Sequence, residues 1–240
     1  MLQGVWEEFS VSSDFEIVAT TESSWQAARD LDQHTLLDDA ADRVVAGHLH
    51  FLKKIIGWRP GPDALDLGAG SGHTTQAFRK YGVDMTASEH TDAGIDLLKE
   101  LNPGMPVQKI SMADYHRLGK HSLIFARELY PITRVNAFAE QRAMVDRLVD
   151  SLSPGGVLLI VGSDVYRPHC MDYHGMVREF KSDERLSRVY GPYLEPIIIR
   201  SLLSMNMVVL SITHLLLYPF TLWKRRSGWA AAYVVAFVRR

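Results

Sequence analysis

The chain has 240 residues, and its 26 Lys and Arg against 28 Asp and Glu give a formal net charge of −2. This length is sufficient for one α/β domain with a buried core, and the charge supplies no general positive field, so composition disfavours a nucleic-acid-binding protein. The single cysteine, Cys170, excludes a disulfide framework and indicates a reducing compartment. Because residues 1–8 have neither the basic nor the apolar stretch of a secretion signal, we expect a cytoplasmic protein.

The N-terminal part of the chain divides into two segments. Residues 1–34 are weakly patterned and are interpreted as an N-terminal flap. From Thr35 to Ile56 apolar residues recur at helical spacing, which predicts one long amphipathic helix that ends at Gly57.

The middle of the chain alternates between short apolar strands and helices. Strands are predicted at 64–67, 83–88, 107–111, 123–126 and 157–161, and helices at 73–81, 92–101 and 137–152. This alternation predicts a mostly parallel sheet with helices on both faces, in a single α/β domain over residues 1–240.

The C-terminal segment is predicted to contain a helix at 195–204, a strand within 207–222 and a final strand at 229–238. Since only a short turn would join the last two strands, they are expected to be antiparallel. The run from Ser201 to Trp223 has no charged side chain and is long enough to span a bilayer. Its polar residues favour a buried helix end and strand instead, which disfavours a membrane partner.

The strongest local signal is a glycine loop between the first strand and the next helix, with the sequence Asp66-Leu67-Gly68-Ala69-Gly70-Ser71-Gly72. Glycines permit positive φ and a close ligand approach, and N–H groups at a helix start can bind that ligand. The dinucleotide pattern G-x-G-x-x-G is not matched, because His73 stands at the third glycine, and the lysine of a P-loop is missing. A tight turn with a purely structural purpose is the alternative interpretation.

Two acidic residues follow the next two predicted strands. Glu89 comes 17 residues after Gly72, where a carboxylate can accept both hydroxyls of a ribose. Asp114 follows the third strand and could accept a hydrogen bond from an adenine amino group. Together with the loop, these residues predict a site for one adenosyl group.

These motifs resemble those of the class I (Rossmann-like) S-adenosylmethionine-dependent methyltransferases over residues 35–240. The resemblance rests on the glycine loop, Glu89, the segments 112–115 and 152–160, and the antiparallel last strand. It implies a seven-stranded sheet in the order 3-2-1-4-5-7-6, with the last strand antiparallel and helices on both faces. It also implies that S-adenosyl-L-methionine is the cofactor.

The resemblance assigns a role to each part of the cofactor site. Asp66 and the amides of Gly68, Ala69, Gly70 and Gly72 would hold the methionyl group, Glu89 the ribose, His90 and Met112 the adenine ring, Asp114 (after Ala113) its amino group, and the backbone of Ala126 or Arg127 the methionyl amine. Two features depart from the family. Ser122 stands where relatives often have Asp, and the Asn/Asp-Pro-Pro-Tyr signature is absent, which disfavours base or amide methylation.

The acceptor side is predicted in two places. Residues after the fourth strand lie at the carboxyl edge of the sheet, where open α/β folds bind ligands. The 33 residues 164–196 are long for a plain connection and are interpreted as a substrate lid. As a general base we rank His169 and His174 ahead of Tyr130 and Glu128, because an imidazole titrates near neutrality.

No metal is predicted, because the ligand types at His169, Cys170, Asp172 and His174 are packed too closely for usual zinc spacing. We interpret His48 and His50 as surface or capping groups, and His214 as a hydrogen-bonded core residue.

The predicted function is methyl transfer to a small-molecule acceptor at oxygen or nitrogen. The sequence is compatible with either a monomer or a homodimer. The alternatives are a member of this fold that catalyses another reaction, and a membrane-associated accessory binding protein.

Overall fold

A computed structural model describes residues 38–129, 132, 138–163, 171–200, 207–226 and 232–240. Its first helix, α1 (Asp38–His50), continues as a π-helical turn at Phe51–Ile56 and ends at Gly57, whose φ of 82° is left-handed. The helix predicted at 35–56 is therefore confirmed from Asp38 onward. The predicted flap at 1–34 lies outside the described residues.

The remaining elements alternate as expected through the first five strands. The strands are β1 (Ala64–Leu67), β2 (Met85–Glu89), β3 (Val107–Lys109), β4 (His121–Arg127), β5 (Leu152–Ser163), β6 (Leu186–Leu194) and β7 (Ala232–Arg239). The helices are α2 (His73–Lys80), α3 (Asp92–Leu101), α4 (Phe138–Asp150), α5 (Tyr173–Phe180), α6 (Glu195–Arg200) and α7 (Met207–Arg226), with a 3-10 helix at Met112–Arg117.

The strands form one seven-stranded sheet in the order β3-β2-β1-β4-β5-β7-β6, which confirms the predicted fold class. The first five strands are parallel, and β7 is antiparallel to both β5 and β6. Since parallel strands end at a common edge, the loops after β1, β2 and β4 meet at the carboxyl edge of the sheet.

Both faces of the sheet are covered by apolar layers. Leu65, Leu67 and Ile124 face a cluster that includes α4 and α5, whereas Leu123 and Phe125 face a cluster that includes α1 and α2. Burial on both faces explains why the strands are nearly continuous apolar runs in the sequence. At the amino edge, the carbonyl of Ser122 accepts a hydrogen bond from Trp58 Nε1 at 2.9 Å, which fixes the start of β4.

The prediction for the C-terminal segment was wrong in two respects. Residues 207–226 form a helix, not a strand, and the sixth strand is Leu186–Leu194. An uncharged apolar run is compatible with either structure, and the Gly191-Pro192 pair interrupts the alternation that would have indicated β6. The last two strands are antiparallel as predicted, but two helices join them instead of a short turn. Among the described residues, no helix has the length and apolarity needed to traverse a bilayer.

The range 164–196, interpreted as a lid, contains core elements of the fold. Helix α5 and strand β6 lie within it, and Met176, Phe180 and Leu186 are buried in the main apolar cluster. These residues therefore belong to the layers of the domain. The rest of the range includes residues 164–170, which lie outside the described part of the chain and contain His169 and Cys170.

Candidate functional site

The glycine loop after β1 is held in a conformation that side chains oppose. Gly68, Gly70 and Gly72 have φ values of 74°, 58° and 86°. A Cβ atom on Gly72 would lie 2.7 Å from Leu98 Cδ2, and one on Gly68 would lie 3.0 Å from Leu129 Cδ1. Glycine is needed here both for the left-handed backbone and for close packing.

The loop is fastened to the end of β2 by its own amides. Ala69 N–H donates to the carbonyl of Ser88 at 2.8 Å, and Gly70 N–H donates to Glu89 Oε1 at 3.1 Å. The other carboxylate oxygen, Glu89 Oε2, accepts from the backbone N–H of His90 at 3.0 Å. The structure thus brings together two of the three predicted adenosyl-site features, the loop and Glu89.

Asp66 lies buried at the base of the loop. It is 2% exposed, and its Oδ2 accepts a hydrogen bond from Thr75 Oγ1 at 2.6 Å. Burial, with a smaller contribution from the nearby charge of Glu89, raises the pKa of Asp66 to about 7. A buried carboxyl group of this kind is suited to a cationic ligand group, which would favour its ionised form.

A cavity of about 350 Å³ opens above Asp66 at the carboxyl edge. Its walls are the glycine loop from Gly68 to Ser71, Ala41 and Val44 of α1, and Arg127 and Glu128 after β4. This volume is within the range of small-molecule sites. The structure therefore places the predicted residues Asp66, Gly68, Ala69, Gly70, Arg127 and Glu128 around one space.

Glu128 has an unusual backbone conformation for its residue type. Its φ is 49°, and its N–H donates to the carbonyl of Val161 at 2.8 Å. A left-handed residue with a Cβ costs about 1–2 kcal/mol, and such residues concentrate at functional sites. The hydrogen bond to β5 holds this conformation at the rim of the cavity.

Sequence reasoning missed a buried polar network beside the cavity. Arg127 donates through both Nη atoms to the carboxylate of Glu195, with Nη2 3.2 Å from Oε2. His48 Nε2 lies 3.1 Å from Glu195 Oε1, and the His48 side chain is completely buried. This contradicts the interpretation of His48 as a surface or capping group. Its position on the apolar face of α1, with Val45 and Leu49, was the signal for burial.

Charge pairing fixes the ionisation of this network. Burial raises the pKa of Glu195, but contacts with His48 and Arg127 outweigh that effect and lower it to about 2. Burial lowers the pKa of His48. An ionised Glu195 therefore connects β4, α1 and α6 beside the cavity.

Asp114 does not face the cavity beside the glycine loop. Its Oδ2 accepts from Ser111 N–H at 3.0 Å and from Ser111 Oγ at 2.6 Å, so that it caps the 3-10 helix. These hydrogen bonds lower the pKa of Asp114. The same segment still approaches Glu89, because Ile110 N–H donates to the Glu89 carbonyl at 2.9 Å.

Next to Asp114, Tyr115 was missed by the sequence analysis. It is 3% exposed, and burial together with the charge of Glu89 raises the pKa of its phenol. Its ring therefore lies in the apolar interior close to Glu89, the residue that is predicted to bind the ribose. Two residues are predicted to contact the adenine here. His90 directly follows β2, and Ala113 lies in the 3-10 helix.

The predicted general bases are distributed differently. Glu128 lines the cavity, whereas Tyr130 and His169 lie outside the described residues. His174 is on α5, where its ring lies 5.3 Å from that of His214 and 4.2 Å from that of Tyr218, both on α7. The ring of His214 packs against those of His174 and Tyr218, and its Nδ1 is buried with no hydrogen-bond partner among the described residues.

Comparisons with known proteins support the fold. No protein-family model matches the chain. A trans-aconitate 2-methyltransferase from Rhizobium leguminosarum bv. trifolii is 27% identical over 99 residues, which are 40% of this chain and 37% of that protein. The match therefore spans little more than a third of the relative.

Two solved structures are similar over most of their length. The plantazolicin methyltransferase BpumL in complex with SAH has a TM-score of 0.56 and 11% identity, with 91% of this chain and 94% of that chain covered. A protein from Galdieria sulphuraria, described as a sarcosine dimethylglycine methyltransferase, has a TM-score of 0.51 and 15% identity, with 82% and 84% covered. These similarities confirm the predicted sheet and the resemblance to the class I methyltransferases.

Proposed function

We propose, from its class I methyltransferase fold, that this chain transfers a methyl group from S-adenosyl-L-methionine to a small-molecule acceptor at oxygen or nitrogen. The observation that carries the proposal is the contact of Gly70 N–H with the Glu89 carboxylate at 3.1 Å, beside buried Asp66. The SAH bound in the similar BpumL structure supports the choice of cofactor.

Residues at or after the ends of β1, β2, β3 and β4 are assigned to the parts of such a cofactor. Asp66 is a buried carboxyl group whose pKa of about 7 would fall beside a methionyl amine. A carboxylate has about four acceptor positions. Backbone N–H groups of Gly70 and His90 use two on Glu89, and the His90 ring, with Nδ1 3.2 Å from Oε2, lies at a third, so we assign a ribose hydroxyl to the remaining position. We assign the adenine to His90, Met112, Ala113 and Asp114, and the amine also to the backbone of Ala126 or Arg127.

When bound, the cofactor supplies an electrophilic methyl group on a sulfonium. The chain's contribution is to hold an acceptor atom about 3 Å from that methyl group, in line with the breaking bond. We propose that Arg127 and Glu128, which line the cavity, orient an acceptor. We therefore favour Glu128 over His174 as a proton acceptor among the described candidates, because His174 packs against α7.

The acceptor is assigned only as a class. The names of two similar proteins refer to trans-aconitate and to plantazolicin, which are different compounds.

Calorimetric titration with S-adenosylhomocysteine tests the cofactor assignment. We expect Glu89→Gln to weaken binding by about 10- to 100-fold, because a hydrogen bond to a charged group contributes about 1.5–3 kcal/mol. The matched control is Glu184→Gln, an exposed change at the turn before β6, which should leave affinity unchanged. Absence of binding to the unmodified chain at 100-fold over micromolar ligand would reject the proposal.

Activity is tested by transfer of labelled methyl groups to panels of phenols, amines and carboxylates. Transfer to any of these supports methyl transfer. Cofactor binding with turnover of an acceptor but without label transfer would instead support the alternative, a different reaction on this fold.

A further inference from the structure

The outer side of α7 is an exposed apolar surface. Leu215 and Leu216 are 71% and 72% exposed, and Val208, Val209 and Ile212 are exposed as well. The inner side is used by the fold, because Leu210 is completely buried and His214 contacts His174. Single exposed leucines are common, but five exposed aliphatic residues on one helix are typical of an interaction surface.

The charged residues of α7 are all basic and all come at its C-terminal end in the sequence. The helix contains no Asp or Glu, and its last turn carries Lys224, Arg225 and Arg226 in the sequence. The whole chain has a net charge of −2, so this positive end contrasts with the rest of the protein. A partner that fits α7 should therefore combine apolar side chains with negative charge.

The N-terminal segment, residues 1–37, has that composition. It contains seven carboxylates and one basic side chain, Arg29, together with aromatic residues that include Trp6, Phe9 and Trp25. We propose that the N-terminal segment docks on the exposed apolar side of α7, with its acidic residues towards Lys224–Arg226. This inference is independent of the proposed methyl transfer.

The chain path makes the contact reachable. The N-terminal segment joins the fold at Asp38, the start of α1, and α1 packs closely on α6, where a Cβ on Gly47 would lie 2.7 Å from Ile199 Cα. Helix α6 is separated from α7 by only six residues, 201–206. An extended residue spans about 3.3 Å, so 37 residues exceed the length of about 30 Å of a 20-residue helix.

Charge and connectivity favour this occupant over two others. An anionic lipid surface would attract the basic end of α7 but would repel the seven carboxylates of residues 1–37 in the same chain. A second copy of the chain would have to be recruited from solution, so it would cover α7 only at high protein concentration. The N-terminal segment is covalently attached, which gives it a high effective concentration at α7.

Hydrogen exchange on the full chain tests the contact from both sides. L215D/L216D on α7 should increase deuterium uptake in residues 1–37, and W6D/F9D should increase uptake in α7, each by several-fold in rate. K224E/R225E/R226E should do the same to residues 1–37 to a lesser extent, as should 0.5 M salt. The matched control is Tyr81→Asp, which replaces an apolar side chain 43% exposed at the end of α2 and should change neither region.

Three results would overturn the proposal. One is unchanged exchange of residues 1–37 in L215D/L216D. Another is a dimer, measured by light scattering, that L215D/L216D dissociates with no change in that exchange, which would assign the surface to a second copy. The third is sedimentation of the unmodified chain with phosphatidylserine vesicles that L215D/L216D abolishes, again without a change in residues 1–37.

Discussion

The two ends of the carboxyl edge are built by different kinds of contact. At β1 and β2, buried Asp66 and the glycine loop line a cavity, and the buried carboxylate of Glu89 holds that loop through the N–H of Gly70. At β6 and β7, aromatic rings and the imidazoles of His174 and His214 pack against one another. The first region is preorganised for a polar ligand, whereas the second mainly stabilises the junction of α5 with α7.

The largest effect that separates the two regions is expected at Gly72. Gly72→Ala places a Cβ 2.7 Å from Leu98 Cδ2 in a left-handed backbone, and should cost about 2–4 kcal/mol of unfolding free energy. Gly82→Ala is the control, since its φ of 81° is similar but no atom lies within 4 Å, and it should cost about 1 kcal/mol. If urea denaturation gave equal losses of unfolding free energy for Gly72→Ala and Gly82→Ala, the loop would not be tightly packed around Gly72.

The buried network beside the cavity should give the next effect. Arg127→Met leaves the carboxylate of Glu195 buried and half-paired, and should cost about 2 kcal/mol, reduced from the usual buried-pair value because Arg127 is partly exposed. Lys109→Met, which breaks an exposed ion pair with Asp92, should cost less than about 0.5 kcal/mol.

Acid titration separates the contribution of Glu195. Its pKa of about 2 is below the ordinary value of 4.5, so the stability due to ionised Glu195 is present above pH 4.5 and is lost as the pH falls towards 2. Glu195→Gln should remove that part of the acid dependence. An identical acid profile in the variant would contradict the network.

Ionisation of Asp66 should make ligand binding in the region of β1 and β2 depend on pH. The raised pKa of Asp66 means that the protein loses stability as the pH rises from 3.8 to about 7, because the carboxyl ionises in the unfolded chain while burial keeps it protonated in the folded protein. A cationic ligand needs that ionised form, so affinity for S-adenosylhomocysteine should rise about tenfold from pH 6 to 7.5. Asp66→Asn should flatten this dependence in calorimetry, and an unchanged slope would remove Asp66 from the site.

The smallest effect is expected at the aromatic end. His214→Ala removes ring contacts with His174 and Tyr193, and should cost about 0.5–1.5 kcal/mol of unfolding free energy. Affinity for S-adenosylhomocysteine should stay unchanged, because His214 is remote from the glycine loop in the sheet order. His116→Ala, at an exposed site, is the control. A tenfold loss of affinity in His214→Ala would join the two regions into one site.

The polar end was predictable because its signals are local. The glycine loop and the acid after β2 each lie within a few residues of a strand end, and parallel strands bring such ends together. His48 and Glu195 are far apart in the sequence, so no local residue spacing predicts that they pair. The carboxylate of Asp114 could bind an adenine amino group or cap the 3-10 helix. In the structure it accepts a hydrogen bond from Ser111, three residues away in the sequence.

The C-terminal helix was not predictable from its composition. A run of Leu, Val and Ile without charge fits a buried strand, a buried helix or a helix with an uncovered side. Only the placement of β6 before it decides among these, and β6 itself is obscured by Gly191 and Pro192. The final strand, with its regular apolar run, was recovered.

The π-helical turn at Phe51–Ile56 has a consequence for the opposite edge of the sheet. A π-helix advances the chain with more residues per turn than an α-helix, so it sets the direction from which Trp58 reaches the carbonyl of Ser122. Shortening that turn by one residue would rotate the indole by roughly 100° about the helix axis. Through the hydrogen bond of Trp58, the turn therefore connects α1, which lines the cavity, to β4, the strand that carries Arg127.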